Sequence, residues 1–268
     1  MYDLSTLATA FGMTLIAGLA TGLGGLIGVA TRSPGDRFMA GSLGFSAGVM
    51  LYVSFMEILP AGITDLSDAW GERAGPWAGV AAFFGGIALI AVIDRFVPEE
   101  INPHEPATVT GEAGDARKSR MMKAGVLTAV ALALHNFPEG FATFIAALED
   151  PMVAVPIVVA IAIHNIPEGI AVAVPIREAT GSRARGLWWA TLSGLAEPAG
   201  AIIGFLILAP FIGPATMGLS FAAVAGIMVF VSLDELLPTA EATGRHHHAV
   251  YGLIAGMAVM ALSLLLLG

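Results

Sequence analysis

The sequence contains no cysteine among its 268 residues. Disulfides and thiolate metal sites are therefore excluded, and any metal ligands must be histidine, carboxylate, amide or thioether groups. Charged residues are also scarce, at 12%, whereas hydrophobic residues make up 56% of the chain and the mean hydropathy is +0.81. These proportions favour an integral membrane protein, in contact with a lipid bilayer, over a soluble domain.

Basic residues are few, with 12 Lys and Arg against 21 Asp and Glu, and the formal net charge is −9. No basic stripe of the kind that binds nucleic acid is present, so we expect no nucleic-acid partner. The N-terminus carries Asp3 but no basic residue before its first apolar run. A cleaved signal peptide has the opposite charge there, and we interpret this run as a retained first span.

Long apolar runs, separated by charged residues or by Gly and Pro, predict eight transmembrane helices. The predicted spans cover residues 4–30, 38–60, 76–97, 121–147, 152–176, 186–210, 214–238 and 248–267. The segment from about 98 to 120 is polar and contains three prolines, which is typical of a flexible loop. The predicted fold class is an all-α, polytopic membrane protein with one transmembrane domain over residues 1–268.

The basic residues also predict the orientation of the spans. Eleven of the 12 lie in or beside the gaps that follow odd-numbered spans, and Arg73 is the exception. Because Lys and Arg accumulate in cytosolic loops, these gaps are expected in the cytosol and both termini outside. The loop at about 98–120 is then cytosolic.

One hexapeptide occurs twice, as HNFPEG at 135–140 and as HNIPEG at 164–169, each in the middle of an apolar span. Ionisable groups at that depth are costly and indicate a functional site. The His and Glu of each copy lie at i and i+4, about 6 Å apart along one helix face, which suits a divalent metal. Each proline lacks an N–H and frees the carbonyl four residues earlier, which predicts a break in the helix.

The two copies are expected to meet at one level of the membrane. Both histidines lie about 20 Å from the acidic turn at 149–151 that joins the two spans. A glutamate in span 6 and a methionine in span 2 fall near the same depth. The candidate metal ligands are His135, Asn136, Glu139, His164, Asn165, Glu168 and Glu197, with Met50 as a soft ligand.

A second repeat links spans 2 and 7. The stretch AGVMLYVSFMEILP at 47–60 aligns with AGIMVFVSLDELLP at 225–238, with eight of 14 residues identical. The two spans cross in opposite directions, as spans 4 and 5 do. Inverted repeats around proline-broken helices with polar groups near mid-membrane are typical of secondary transporters. We therefore predict that spans 1–3 are repeated as spans 6–8, and span 4 as span 5.

Other interpretations of the buried polar residues stay open at this point. They include polar contacts between helices and a proton relay without metal. An intramembrane zinc hydrolase would need an open metal position and a water-activating carboxylate, as in His-Glu-x-x-His, but asparagine follows each histidine here. A proton-coupled carrier of an organic solute is a further alternative, and we expect no enzymatic activity.

Several polar residues lie away from this candidate site. Three consecutive histidines, His246 to His248, are expected in a solvated cytosolic loop, where they either have no function or capture emerging metal. His104 is interpreted as a loop residue. Carboxylates near span ends are either ordinary helix-end residues or entrance and exit ligands; these are Glu57, Asp234 and Glu235.

The two hexapeptides, the Glu-Pro of span 6 and the eight-span layout resemble the ZIP (Zrt/Irt-like) metal transporters, particularly their bacterial ZupT/GufA-like branch. The resemblance covers essentially the whole chain. It implies uptake of Zn²⁺, and also of Fe²⁺, Mn²⁺, Co²⁺ or Cd²⁺, into the cytosol across the bacterial plasma (inner) membrane. The metal would be the transported substrate and not a cofactor. A homodimer is one option for the assembly.

The resemblance also implies a binuclear site between spans 2, 4, 5 and 6, and movement of spans 1, 4, 5 and 6 against the others. The two hexapeptide glutamates would bridge the metals. The first metal would be held by His135, Glu139, His164 and Glu168, with Met50 near. The second would be held by Asn136, Glu139, Asn165, Glu168 and Glu197. Many relatives carry a histidine-rich run between spans 3 and 4, whereas this loop has only His104, so a sensing role for it is doubtful.

Overall fold

The computed structural model describes residues 3–30, 35–95, 114–149, 151–211 and 213–267. Within these ranges the chain forms eight long helical segments and no strand, as predicted. Their bounds are α1 Leu4–Ala30, α2 Asp36–Trp70, α3 Ala74–Arg95, α4 Gly114–Glu149, α5 Pro151–Thr180, α6 Arg183–Phe211, α7 Pro214–Ala242 and α8 His246–Leu267. The predicted loop at 98–120 lies outside the described residues up to residue 113, and its last part begins α4.

Seven of these segments are long and apolar enough to cross a membrane; α4 is not among the seven. It is the helix that carries the first hexapeptide, and its 36 residues exceed the roughly 20 that a bilayer requires. It packs against α1, α5, α6 and α7 in the middle of the structure. Large apolar side chains such as Leu206 and Leu262 are more than half exposed on the outer helices, where lipid would cover them. The chain is an all-helical, multi-pass membrane protein.

The first helix begins with a capping carboxylate. Oδ1 of Asp3 accepts hydrogen bonds from the backbone N–H of Thr6 at 2.7 Å and from the hydroxyl of Ser5 at 3.0 Å. These bonds, led by that of the Thr6 N–H, lower the pKa of Asp3. The carboxylate therefore remains charged and caps the helix at neutral pH.

Two helices continue past the prolines at which the sequence predicts their ends. α2 runs through Pro60 to Trp70, and α7 runs through Pro238 to Ala242. A π-helical turn precedes each proline, over Ser54–Ile58 in α2 and Ser232–Leu236 in α7. A π turn shifts the register of the backbone hydrogen bonds, which accommodates the missing N–H of a proline.

The predicted breaks at the hexapeptide prolines are wrong, because α4 and α5 continue through Pro138 and Pro167. Tight neighbours hold both helices: a Cβ on Gly200 would collide with the carbonyl of Phe137, and one on Gly24 with that of Ile166. Close packing on each side therefore outweighs the local cost of the proline. The predicted break is present in α6, at Leu195, just before the Glu-Pro pair.

Glycines divide the helices into two tightly packed groups. We call α1, α4, α5 and α6 the first group, and α2, α3, α7 and α8 the second. Among the described glycines whose Cβ would have neighbours within 4 Å, the nearest atoms belong to the glycine's own group in every case. Backbones therefore approach closely inside each group, as small residues permit in membranes.

The glycine contacts also confirm the inverted repeats. In the second group, Gly48 of α2 packs on Leu253 of α8, and the matching Gly226 of α7 packs on Phe83 of α3. The π turns of α2 and α7 lie at matching positions as well. The second group therefore contains the same kind of helix pair twice, once as α2 with α8 and once as α7 with α3.

The first group repeats in the same way. Gly140 of α4 approaches the carbonyl of Glu197 in α6, and its counterpart Gly169 of α5 approaches that of Thr21 in α1. Helix α1 therefore corresponds to α6, and α4 to α5. The hexapeptides lie at the centre of this arrangement, where the two halves meet.

Candidate metal site

The two hexapeptides meet across α4 and α5. His135, Glu139, His164 and Glu168 are all buried, with at most 1% of each side chain exposed. Glu139 lies between the two imidazoles: its Oε2 is 3.5 Å from Nε2 of His135, and its Oε1 is 3.1 Å from Nε2 of His164. The contact between helices confirms that the two motifs share one level.

Three of these side chains form a cluster of the size that one cation requires. One ligand atom each from His135, His164 and Glu168 lies within 4.8 Å of the other two. Ligands of a tetrahedral Zn²⁺ at 2.0–2.2 Å are separated by roughly 3.5 Å, so a small contraction closes this set. Imidazole and carboxylate together suit Zn²⁺ and the neighbouring first-row metals.

Few of the polar side-chain atoms in this cluster have a hydrogen-bond partner. Both ring nitrogens of each histidine, both carboxylate oxygens of Glu139 and Oε2 of Glu168 lack a hydrogen-bond partner. Buried polar atoms without partners are costly, and they cluster here where a divalent cation would satisfy them together.

The asparagines are held by backbone carbonyls of the same group of helices. Nδ2 of Asn136 donates to the carbonyl of Ser193 at 3.3 Å, and Nδ2 of Asn165 donates to that of Ala17 at 2.9 Å. Asn165 also donates to Oε1 of Glu197. The Oδ1 atoms of both asparagines have no hydrogen-bond partner, which leaves them available as ligands.

Glu197 is fully buried in the first turn that follows the break in α6. The partial positive charge of a helix N-terminus favours a carboxylate at this position. Met50 is also fully buried, one helical turn after Ser46 on the same face of α2. The hydroxyl of Ser46 contacts Glu168, which places this face of α2 next to α5.

Sequence reasoning missed Ser46, one of three serines in the predicted apolar span 38–60. Its Oγ lies 3.4 Å from Oε1 of Glu168 and 3.2 Å from the carbonyl oxygen of His164. The signal was available in the second repeat: extended one residue backwards, the alignment pairs Ser46 with Val224. A hydroxyl in one copy and a methyl in the other marks a place where the two halves differ.

A small cavity of about 20 Å³ borders Glu139. Its walls are mostly apolar and come from α2, α4, α5 and α7. They include Ile58, Thr143, Ile161, Phe221 and Val224. In the predicted orientation this cavity lies in the outer half of the membrane.

The remaining predicted residues lie elsewhere. His246 to His248 form the first turn of α8, so their prediction as loop residues is wrong, and Nδ1 of His246 is 2.9 Å from Oε1 of Glu241 on the exposed surface. Glu57 is half-buried in the π turn of α2, and Glu235 is buried in that of α7. His104 lies outside the described residues.

Fold and site together define a polytopic membrane protein with a buried histidine and carboxylate cluster that fits a metal ion. The ZIP Zinc transporter family matches residues 97–264, and the chain belongs to this family.

Similar proteins span nearly the whole chain. One from Corynebacterium efficiens, named Zinc transporter ZupT, is 71% identical over 265 residues, which cover 98% of this chain and 99% of the relative. A protein of the same name from Corynebacterium glutamicum is 71% identical over 258 residues, covering 96% and 98%. Another from Streptococcus mutans is 56% identical over 260 residues, covering 97% and 98%.

Proposed function

We propose that this chain is a secondary transporter that imports divalent transition metal ions, above all Zn²⁺, into the cytosol. The observation that carries the proposal is the contact of Glu139 with both His135 and His164, in a buried cluster that Glu168 completes. Zinc as the main cargo is supported by the relatives, which are named zinc transporters. Fe²⁺, Mn²⁺, Co²⁺ and Cd²⁺ have related ligand preferences and are expected as further cargo.

The proposed site is binuclear. The first ion is held by His135, Glu139, His164 and Glu168, with Met50 beside it. The second is held by Asn136, Asn165 and Glu197, and the two hexapeptide glutamates bridge the ions. Support comes from the hydrogen bond between Asn165 and Glu197, which gathers the second set next to the first. The metal is cargo and no cofactor is required, in keeping with relatives that are transporters by name and with the absence of enzymatic activity that we propose.

We place the protein in the bacterial plasma (inner) membrane with both termini outside. The distribution of basic residues supports this orientation. The cavity beside Glu139 then forms the outer approach to the site. Assembly as a homodimer stays a prediction.

Uptake of ⁶⁵Zn²⁺ into proteoliposomes tests the proposal, with Fe²⁺, Mn²⁺ and Cd²⁺ as competitors. The wild type should show saturable uptake that His135→Ala abolishes, because the variant loses one ligand of the first ion. Glu72→Gln, in the exposed turn between α2 and α3, is the control and should keep wild-type uptake. Equal flux through the wild type and His135→Ala would remove the assigned site, and no uptake by the wild type would contradict transport.

A further inference from the structure

We infer that Ser46 is a positioning residue of the metal site, whose hydroxyl ties α2 to α5 and holds Glu168 in place for the ion. The inference rests on the proposed function and deepens it. It assigns a role to a side chain that is not among the proposed ligands and that belongs to the other group of helices.

The geometry gives Ser46 two acceptors on α5. The hydroxyl is fully buried and lies 3.4 Å from Oε1 of Glu168 and 3.2 Å from the carbonyl oxygen of His164. A hydroxyl has a single proton, so it donates to one of these oxygens at a time. Oε2 of Glu168 has no hydrogen-bond partner, so Ser46 holds one oxygen of the carboxylate while the other remains available for a metal.

This contact crosses the boundary between the two groups of helices. Ser46 belongs to α2 in the second group, whereas His164 and Glu168 belong to α5 in the first. The close backbone contacts at glycines lie inside the groups. A polar link at the boundary therefore makes the arrangement of the metal ligands depend on how the two groups are docked.

The inverted repeat supplies an internal comparison. Glu168 corresponds to Glu139, and Ser46 corresponds to Val224, which lines the cavity beside Glu139. Valine has no proton to donate, so the carboxylate of Glu139 faces a cavity at the place where that of Glu168 meets a hydroxyl. The hydroxyl of Ser46 therefore holds the site on the side that the predicted orientation assigns to the cytosol, whereas a small cavity borders Glu139 on the outer side.

Loss of the tie should affect binding and translocation differently. Without the hydroxyl, the carboxylate of Glu168 gains rotational freedom that the ion must remove on binding, so affinity falls. Release to the cytosol requires the contact between α2 and α5 to open. In the variant, the hydrogen bond of Ser46 no longer opposes this step. The substitution should thus raise KM and not lower Vmax.

The test compares Ser46→Ala with Ser232→Ala. Ser232 is equally buried in the repeat-related helix α7, but its hydroxyl donates to Met228 of its own helix at 2.7 Å. KM and Vmax are measured by ⁶⁵Zn²⁺ uptake into proteoliposomes, and Kd by competition with a zinc-binding dye in detergent. Ser46→Ala should raise KM and Kd about three- to tenfold, as expected for the loss of one ordinary hydrogen bond, while Ser232→Ala retains wild-type values.

Each other outcome is decisive. Wild-type KM and Kd in Ser46→Ala would overturn the inference while leaving the proposed function intact. A fall in Vmax with unchanged KM, or the same change in Ser232→Ala, would assign Ser46 a purely structural role and also overturn it. Absence of saturable uptake by the wild type would instead contradict the proposed function.

Discussion

At the scale of single residues, the site is distinguished by what its polar atoms contact. Glu139 reaches two histidines on two helices, and Asn165 reaches both a backbone carbonyl and Glu197. Fixed ligands lose little entropy when an ion binds, so such contacts prepare the site for its cargo. Glu139 is central, because it alone touches both hexapeptide imidazoles among the contacts described above.

Glu139→Gln should therefore weaken binding more than the loss of an outer residue. The amide keeps the shape of the side chain but removes the charge that faces the histidines. Because loss of residues that only orient a ligand costs roughly 10- to 100-fold in metal affinity, we expect at least about a 100-fold rise in Kd for Zn²⁺. Competition with a zinc-binding dye measures it. Glu72→Gln, in an exposed turn, is the control, and equal Kd values for the two variants would contradict a central role for Glu139.

The sequence points to the candidate ligands more readily than to the residues that support them. Imidazole and carboxylate inside an apolar run are conspicuous, and their i and i+4 spacing places them on one helix face. The carbonyls of Ala17 and Ser193 carry no such signal, and that of Ser46 is limited to its mismatch with Val224 in the second repeat, because serine and alanine are ordinary in membrane helices. Their roles depend on which helix lies opposite, and that is known only from the fold.

At the scale of elements, glycines and π turns decide where helices run. The sequence predicts helix ends at Pro60 and Pro238, since proline usually ends a helix. The π turns that allow the helices to continue have no distinct sequence signal, and they emerge from packing around the two repeats. Packing also decides which glycines matter, so two neighbouring glycines in one helix can differ in their contribution to stability.

Gly86 and Gly85 of α3 provide a matched pair. A Cβ on Gly86 would collide with the carbonyl of Ala223 in α7, whereas one on Gly85 would meet nothing within 4 Å. Gly86→Ala should destabilise the second group by about 1–3 kcal/mol through overpacking, and Gly85→Ala should be neutral. Thermal melting in detergent, monitored by size-exclusion chromatography, measures the difference. Equal melting temperatures for the two variants would contradict the close contact between α3 and α7.

At the scale of the whole molecule, two groups of helices built from inverted repeats enclose one site. Counting apolar runs correctly predicts the eight helices, and comparing repeats correctly predicts the pairing of spans 2 and 7. Neither procedure shows that α2 packs on α8 and α7 on α3, because those contacts depend on glycine faces such as those of Gly48 and Gly226. The family resemblance already implies the division into these two groups, whereas the contact of Ser46 with α5 across their boundary is visible only in the structure.

The orientation of the whole molecule can be tested directly, because the chain contains no cysteine and any introduced thiol is the only one present. Glu72 lies in the turn between α2 and α3, and Glu241 lies near the end of α7; both are exposed. With the termini outside, Glu72→Cys faces the exterior and Glu241→Cys faces the cytosol. A membrane-impermeant maleimide should label Glu72→Cys in intact cells, and Glu241→Cys only after permeabilisation.

The unmodified protein is the control and should remain unlabelled under both conditions. The reverse pattern would place the termini in the cytosol, and the outer cavity beside Glu139 would then face inward, so that the same geometry would describe release of the ion and not its entry. The eight-span topology places an odd number of crossings between Glu72 and Glu241, so the two positions lie on opposite sides of the membrane. Labelling of both variants in intact cells would require an even number of crossings and would contradict this topology. The experiment therefore decides which side of the membrane the contact between Ser46 and Glu168 faces.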